Sequence, residues 1–159
     1  GFEGGDSDDP ADRGGKTRWG ITQNTLDRWC YITGNEKLFI FAMDKAVRDD
    51  VYELLYWQPA GCEHYPYTLG LVVFDAAVNH GVSKAVRLLQ GELGCTPDGR
   101  VGVVTRKRAE ECNAKRIASA IIARRVDFYH SIVKADHTQE RFLKGWLNRM
   151  KRLESEISK

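Results

Sequence analysis

Leu69, Val72, Val73, Ala76, Ala77 and His80 recur at the three- and four-residue steps of a single helix face, and Gly81 closes the run. A segment this apolar predicts a helix lying deep in a core, and it commits the rest of the chain to packing around it. The same period returns on both sides. Thr22 is a candidate N-cap for a short helix through Trp29 to Tyr31, ended by Thr33-Gly34-Asn35. Ala42 to Trp57 carries Ala46, Val47, Val51, Leu54 and Leu55 at helical spacing, until Pro59 and Gly61 stop it. Ser83 stands where it can cap a helix bearing Val86, Leu89 and Leu93, with Gly94 behind it. Thr105 to Cys112, Ala114 to Val133 and Gln139 to Ile157 read as three more helices. The predicted class is therefore mainly α.

The first twenty residues break that pattern. From Glu3 to Thr22 the chain reads EGGDSDDPADRGGKTRWGIT, too rich in Gly, Asp and Pro for a regular helix. Asp9-Pro10 and Arg13-Gly14-Gly15 are turn signals, and Lys16 to Ile21 can pair with the preceding segment as a small hairpin. Such a loop holds polar groups in fixed places. Asp8, Asp9 and Asp12 either form Asx turns and caps or line a site with Glu3 and Thr17. Glu3 is the sharper candidate, because Gly4-Gly5 leave one side of its carboxylate open to a bulky polymer. If Trp19 or Phe2 desolvates it, its pKa rises, and it can hold a proton for a glycosidic oxygen.

Composition narrows the alternatives. The 159 residues suit one domain, or one compact unit of two lobes, and no apolar run approaches the ~18 residues of a membrane helix. A catalytic acid at position 3 leads to the expectation of further residues ahead of Gly1, with a signal or anchor left open. The net charge of +2 is unevenly spread: 11 acids against 7 bases over residues 1–60, 4 against 2 over 61–99, and 7 against 15 over 100–159, or −4, −2 and +8. The basic C-terminal part suits an anionic partner, and envelope polymers and nucleic acid both qualify; solvated helix faces broken by Glu110, Glu111, Asp127 and Glu140 are the other reading. Nucleic acid is the weaker partner, since no binding motif or aromatic interleaving accompanies the charge. Cys30, Cys62, Cys95 and Cys112 show no CxxC spacing, and the close pair Cys62 and His64 lacks a second ligand pair, so no metal and no cofactor is assigned. Disulfides are allowed by the even number, and buried free thiols explain the four as well.

Several residues outside the loop are candidates for holding sugar. Tyr56 and Trp57 end a helix beside a Pro-Gly turn, and flat aromatic faces make platforms for sugar rings, though core packing also explains them. Asn79 has an amide suited to an acetamido group, or else helps end its helix with His80 and Gly81. Gln90 and Asp98-Gly99 read as holding helices together, and Trp146 as a core residue.

Taken in order, EGG, DDPADRGGKT and WGIT resemble the signature of glycoside hydrolase family 108, a group of bacterial and phage muramidases. YELLYW at 52–57, FDAAVNHG at 74–81, LLQGELG at 88–94, DGRVG at 98–102 and GWLNR at 145–149 are similar to the rest of that family and its C-terminal peptidoglycan-binding region. The resemblance implies a lysozyme-like helical fold, mainly α, with a small β-hairpin beside the active-site cleft. It also implies a muramidase lobe over residues 1–70 and a helical peptidoglycan-binding-like lobe over 71–159, packed as one unit. Its catalytic glutamate matches Glu3, and its reaction is cleavage of the β-1,4 bond between N-acetylmuramic acid and N-acetylglucosamine. A fainter similarity to phage-type lysozymes matches Glu3, Asp12 and Thr17 to their glutamate, aspartate and threonine. On that mapping Glu3 protonates the leaving oxygen, Asp12 stabilises the oxocarbenium-like centre or positions water, and Thr17 holds that water. Asp9 and Trp19 join Tyr56, Trp57 and Asn79 as substrate-binding candidates.

The chain also departs from the family, with Asp6, Ser7 and Asp8 where EGG is usually followed by an aromatic residue and an asparagine. Added negative charge there favours a protonated Glu3, or lets Asp6 or Asp8 supply the second carboxylate. The expected protein is a monomeric peptidoglycan hydrolase without cofactor. It acts on the bacterial wall in the periplasm, and is made in the host cytoplasm if it is a phage endolysin. A non-catalytic peptidoglycan binder, a secretion accessory and a lytic transglycosylase are the alternatives.

Overall fold

In the computed structural model, which describes residues 17–159, the chain turns helical where its first good N-cap stands. Thr22 Oγ1 accepts the Thr25 amide at 3.2 Å, and α1 (Gln23–Thr33) runs from there to Gly34, whose φ of 71° makes the left-handed C-cap. Immediately before it, β1 (Thr17–Arg18) and β2 (Ile21–Thr22) pair antiparallel, with Thr17 opposite Thr22 and Arg18 opposite Ile21. Trp19 and Gly20 link them, both at positive φ (49° and 78°), as a tight two-residue hairpin turn requires. The hairpin thus closes within 17–22. The partner expected for it, the segment before Lys16, lies outside the described residues.

The chain forms two compact units, Gly1–Tyr56 and Trp57–Lys159. In the first, Ile21, Leu26, Trp29, Cys30, Ile40, Met43, Val51 and Leu55 make the core. Each of the Ile, Leu, Met and Val side chains among them contributes about 1.5–3 kcal/mol on burial. The single helix expected over Ala42–Trp57 is instead three pieces. A 3₁₀ turn (Ile40–Ala42) comes first, then α2 (Lys45–Tyr52), then a π-helical turn (Glu53–Trp57). The break has a local cause: Asp44 Oδ1 accepts the Val47 amide at 2.8 Å, and an aspartate that caps cannot also lie inside the helix.

In the second unit, α3 (Tyr67–His80) packs against α4 (Val82–Glu92) and α6 (Ala114–Ala135), and α6 packs against α7 (Glu140–Ser158); α5 (Val103–Glu111) lies between α4 and α6 in the chain. Leu69, Val72, Val73, Ala76 and Ala77 are all buried, so α3 is the core helix its sequence predicts. Gly70 is buried as well: a Cβ there would stand 3.1 Å from the Cys62 carbonyl oxygen. Gly81 ends α3 and immediately starts α4, which leaves Ser83 inside that helix, its Oγ accepting from Arg87 Nε at 3.4 Å. Ser83 is therefore not the cap.

Gln90 holds helices together as expected. Its amide nitrogen donates to Asp98 Oδ1 at 2.7 Å and the Arg100 carbonyl at 3.0 Å, while its oxygen accepts the Gly99 amide at 2.8 Å. The Arg100 amide and Gln90 together lower the Asp98 pKa. Trp146 is half-buried rather than enclosed, stacked 5.0 Å from Tyr129. Cys30 and Cys62 are buried, and Cys95 and Cys112 are partly so. Seven α-helices and one hairpin make the described residues mainly α, and no helix among them is long and apolar enough to cross a membrane.

Candidate active site

Among the described residues, the hairpin holds the one non-glycine residue at positive φ. Trp19 has φ of +49°, a conformation that costs a bulky L-residue on the order of 1–2 kcal/mol and persists only where the surroundings hold it. Here they do. The Trp19 carbonyl accepts from Tyr52 Oη at 2.8 Å, and its ring lies 4.4 Å from the Arg18 guanidinium and 5.3 Å from that of Arg48. Arg18 is itself held by donating to the Phe41 carbonyl. An indole flanked by two guanidinium groups combines an apolar ring with positive potential, a setting suited to a sugar that carries a carboxylate.

Thr17 stands two residues before Trp19, half-buried on β1, and its hydroxyl makes no hydrogen bond to a described residue. Tyr52 ties this end of the hairpin to Tyr56, their rings 6.0 Å apart. Trp19 and Tyr56 are thus joined in the first unit through a residue that sequence reasoning did not single out. The signal for Tyr52 was its place in YELLYW, one helical turn before Tyr56. Glu3, Asp9 and Asp12 lie outside the described residues, as do Asp6 and Asp8.

The remaining candidates belong to the second unit. Trp57, on the π-helical turn, meets Phe74 edge-on at 5.5 Å. Asn79 is exposed near the end of α3, with its amide nitrogen donating to the Asp75 carbonyl at 2.7 Å. Its side-chain oxygen makes no hydrogen bond to a described residue.

The second unit also buries charge that the sequence reading missed. Asp75 is 4% exposed and Arg125 1%. Arg149 Nε donates to Asp75 Oδ1 at 2.7 Å, with Nη2 at 2.7 Å from the same oxygen. Arg125 Nη1 lies 2.7 Å from Asp75 Oδ2, outside hydrogen-bond alignment, so that pairing is coulombic. Arg125 Nε also donates to His80 Nε2 at 3.2 Å, and Tyr129 Oη lies 3.1 Å from the same nitrogen. A guanidinium never accepts, so His80 Nε2 is the acceptor and the neutral ring carries its proton on Nδ1. Burial first, then Arg125 and Lys84, bring the His80 pKa down to about 4. One signal was available: Asp75 interrupts the apolar face of FDAAV, and an acid in a core helix requires a buried cation.

The model of the family Glycosyl hydrolase 108 matches residues 1–81, and that of the Predicted Peptidoglycan domain matches residues 84–151. The solved structure of Brucella abortus SagA is similar at 31% sequence identity and a TM-score of 0.82, over 98% of this chain and 86% of that one. No curated protein matches significantly.

Proposed function

The chain belongs to the glycosyl hydrolase 108 family, and from that premise we propose that it cleaves the β-1,4 bond between N-acetylmuramic acid and N-acetylglucosamine, with Glu3 as general acid. The observation that carries this reading is the family match over residues 1–81, the span that holds EGG at Glu3 and DDPADRGGKT at Asp8 to Thr17 in their expected order. A peptidoglycan domain behind a glycosyl hydrolase makes the cell wall the substrate.

In the proposed reaction Glu3 gives its proton to the leaving oxygen, and Asp12 stabilises the oxocarbenium-like centre or orients water on the opposite face. Thr17 holds that water, a role supported by a hydroxyl that no described residue engages. Asp9, Trp19, Tyr56, Trp57 and Asn79 bind sugar, with Trp19 held rigidly enough to serve as a platform. The lobe at 1–70 cuts and the lobe at 71–159 grips the wall. The protein acts as a monomer, as a phage endolysin made in the host cytoplasm and lytic from the periplasmic side. The Glu3, Asp12, Thr17 order shared with phage-type lysozymes supports that origin.

The test compares wild type with Glu3→Gln on isolated peptidoglycan, with fragments weighed by mass spectrometry. Lysis by wild type alone, with reducing muramic acid ends, is expected. Anhydro ends would make it a lytic transglycosylase, and absence of lysis by a folded wild type would make it a binder.

A further inference from the structure

A cavity of about 260 Å³ opens in the second unit between the end of α3, α4 and α6, lined by His80, Lys84, Arg87, Leu88, Arg124, Arg125 and Phe128. Its chemistry is one-sided. The lining has four permanent cations, a neutral imidazole and two apolar side chains, and no carboxylate or amide that could accept from sugar hydroxyls. Two of the cations already pair with carboxylates, Arg125 with the Asp75 that it shares with Arg149, and Arg124 with Glu92. Lys84 and Arg87 form no ion pair: both are exposed on one face of α4, with no carboxylate within 4.0 Å among the described residues, and only the longer-range field of Asp98 reaches Arg87. Lys84 Nζ instead sits 5.1 Å from the Phe128 ring, which also meets the His80 ring edge-on at 5.6 Å.

Positive potential thus faces an apolar wall of Phe128 and Leu88. The His80 Nδ1–H makes no hydrogen bond to a described residue, since Arg125 and Tyr129 both engage Nε2. It remains available as a neutral donor on a residue that lines the cavity. A ligand that satisfies all of this carries a carboxylate for Lys84 and Arg87 and a short alkyl portion for Phe128 and Leu88. The size agrees, since the cavity falls below the ~300–1,000 Å³ of sites that engulf drug-sized molecules and suits the end of a peptide better than a disaccharide. Every lining residue except His80 falls in the span matched by the peptidoglycan domain.

We propose that this cavity is a carboxylate-binding subsite for the stem peptide of peptidoglycan, formed by Lys84 and Arg87 against Phe128 and Leu88. The proposal rests on the cell wall being the substrate. It divides recognition in two: glycan at the hydrolase end, peptide acid at the helical end.

The test is an NMR titration of the full chain with the stem tripeptide L-alanyl-γ-D-glutamyl-L-lysine, its fully amidated form, and inorganic phosphate. The acid is expected to shift amide resonances of residues 80–88 and 124–128. Its binding should weaken roughly tenfold in the amidated peptide and in the Lys84→Gln/Arg87→Gln variant, as loss of charge-assisted pairing requires. Both residues are exposed, so the variant should melt like wild type. Equal binding of the amidated peptide, undiminished binding by the variant, or tighter binding of phosphate at the same resonances would each overturn the proposal. Glycan cutting is scored separately from reducing ends. Lost cutting with charge-dependent peptide binding refutes the muramidase and leaves the subsite standing. Cutting without such binding does the reverse.

Discussion

Replacing Asp75 by Asn removes one negative charge while keeping size and a hydrogen-bond acceptor, and so isolates the ionic part of the buried cluster. The carboxylate is 4% exposed, and Arg125, which loses the one carboxylate it pairs with among the described residues, is 1% exposed. Stranding one member of a buried ion pair costs about 3–5 kcal/mol. The lower end applies here, because Arg149 has a side chain 18% exposed and regains part of its hydration. About 3 kcal/mol in a chain of 159 residues corresponds to a fall in Tm of roughly 6–12 °C. Thermal melting at neutral pH, with urea midpoints as a check, measures it. The double change Asp75→Leu/Arg125→Met should cost less than Asp75→Asn alone, since it strands no charge on Arg125. A loss under about 1 kcal/mol for Asp75→Asn would refute the ionic account of this cluster.

Other consequences are open to measurement. The His80 ring should keep its neutral NMR signature on acidification to pH 5 and titrate near 4. Because the unfolded imidazole titrates near 6.5, the unfolded chain binds more protons between these values, so stability should fall as pH drops from 6.5 to 4; a midpoint at 6.5 in the folded protein would contradict this. Gly99→Ala should cost about 1–3 kcal/mol in urea unfolding, as φ is +78° and the new Cβ would stand 2.6 Å from Ser83 Oγ; an unchanged midpoint would contradict the turn. Retention on isolated wall should fall as salt rises from about 0.05 to 0.5 M if the net +8 of residues 100–159 steers the chain to an anionic polymer, and a flat profile would count against that role.

The helical skeleton was legible because its period and its stop signals agree. The run from Leu69 to Gly81 predicted α3 nearly to the residue, and Thr22 with Gly34 bracketed α1. Errors arose where two local signals competed. Asp44 could have been an exposed helix residue and became a cap, and Gly81 started α4 before Ser83 could. The Asp75 cluster was invisible for another reason. Its partners lie 50 and 74 positions along the chain, and only tertiary packing of α3, α6 and α7 brings them to 2.7 Å. At the candidate active site the sequence named Thr17, Trp19 and Tyr56 without the Tyr52 hydroxyl that holds the Trp19 carbonyl, because a tyrosine bonded to a backbone carbonyl 33 residues away leaves no local trace. Glu3, Asp9 and Asp12 rest on motif order alone.

The role of Glu3 is therefore the claim to test most directly. Purified wild type and Glu3→Gln, matched for melting temperature, should be given the same isolated peptidoglycan and followed by new reducing ends. Loss of a positioned general acid predicts a variant slower by about 10²–10⁴-fold, with N-acetylmuramic acid at the reducing end of the wild-type fragments. Equal rates from the two proteins would contradict the account.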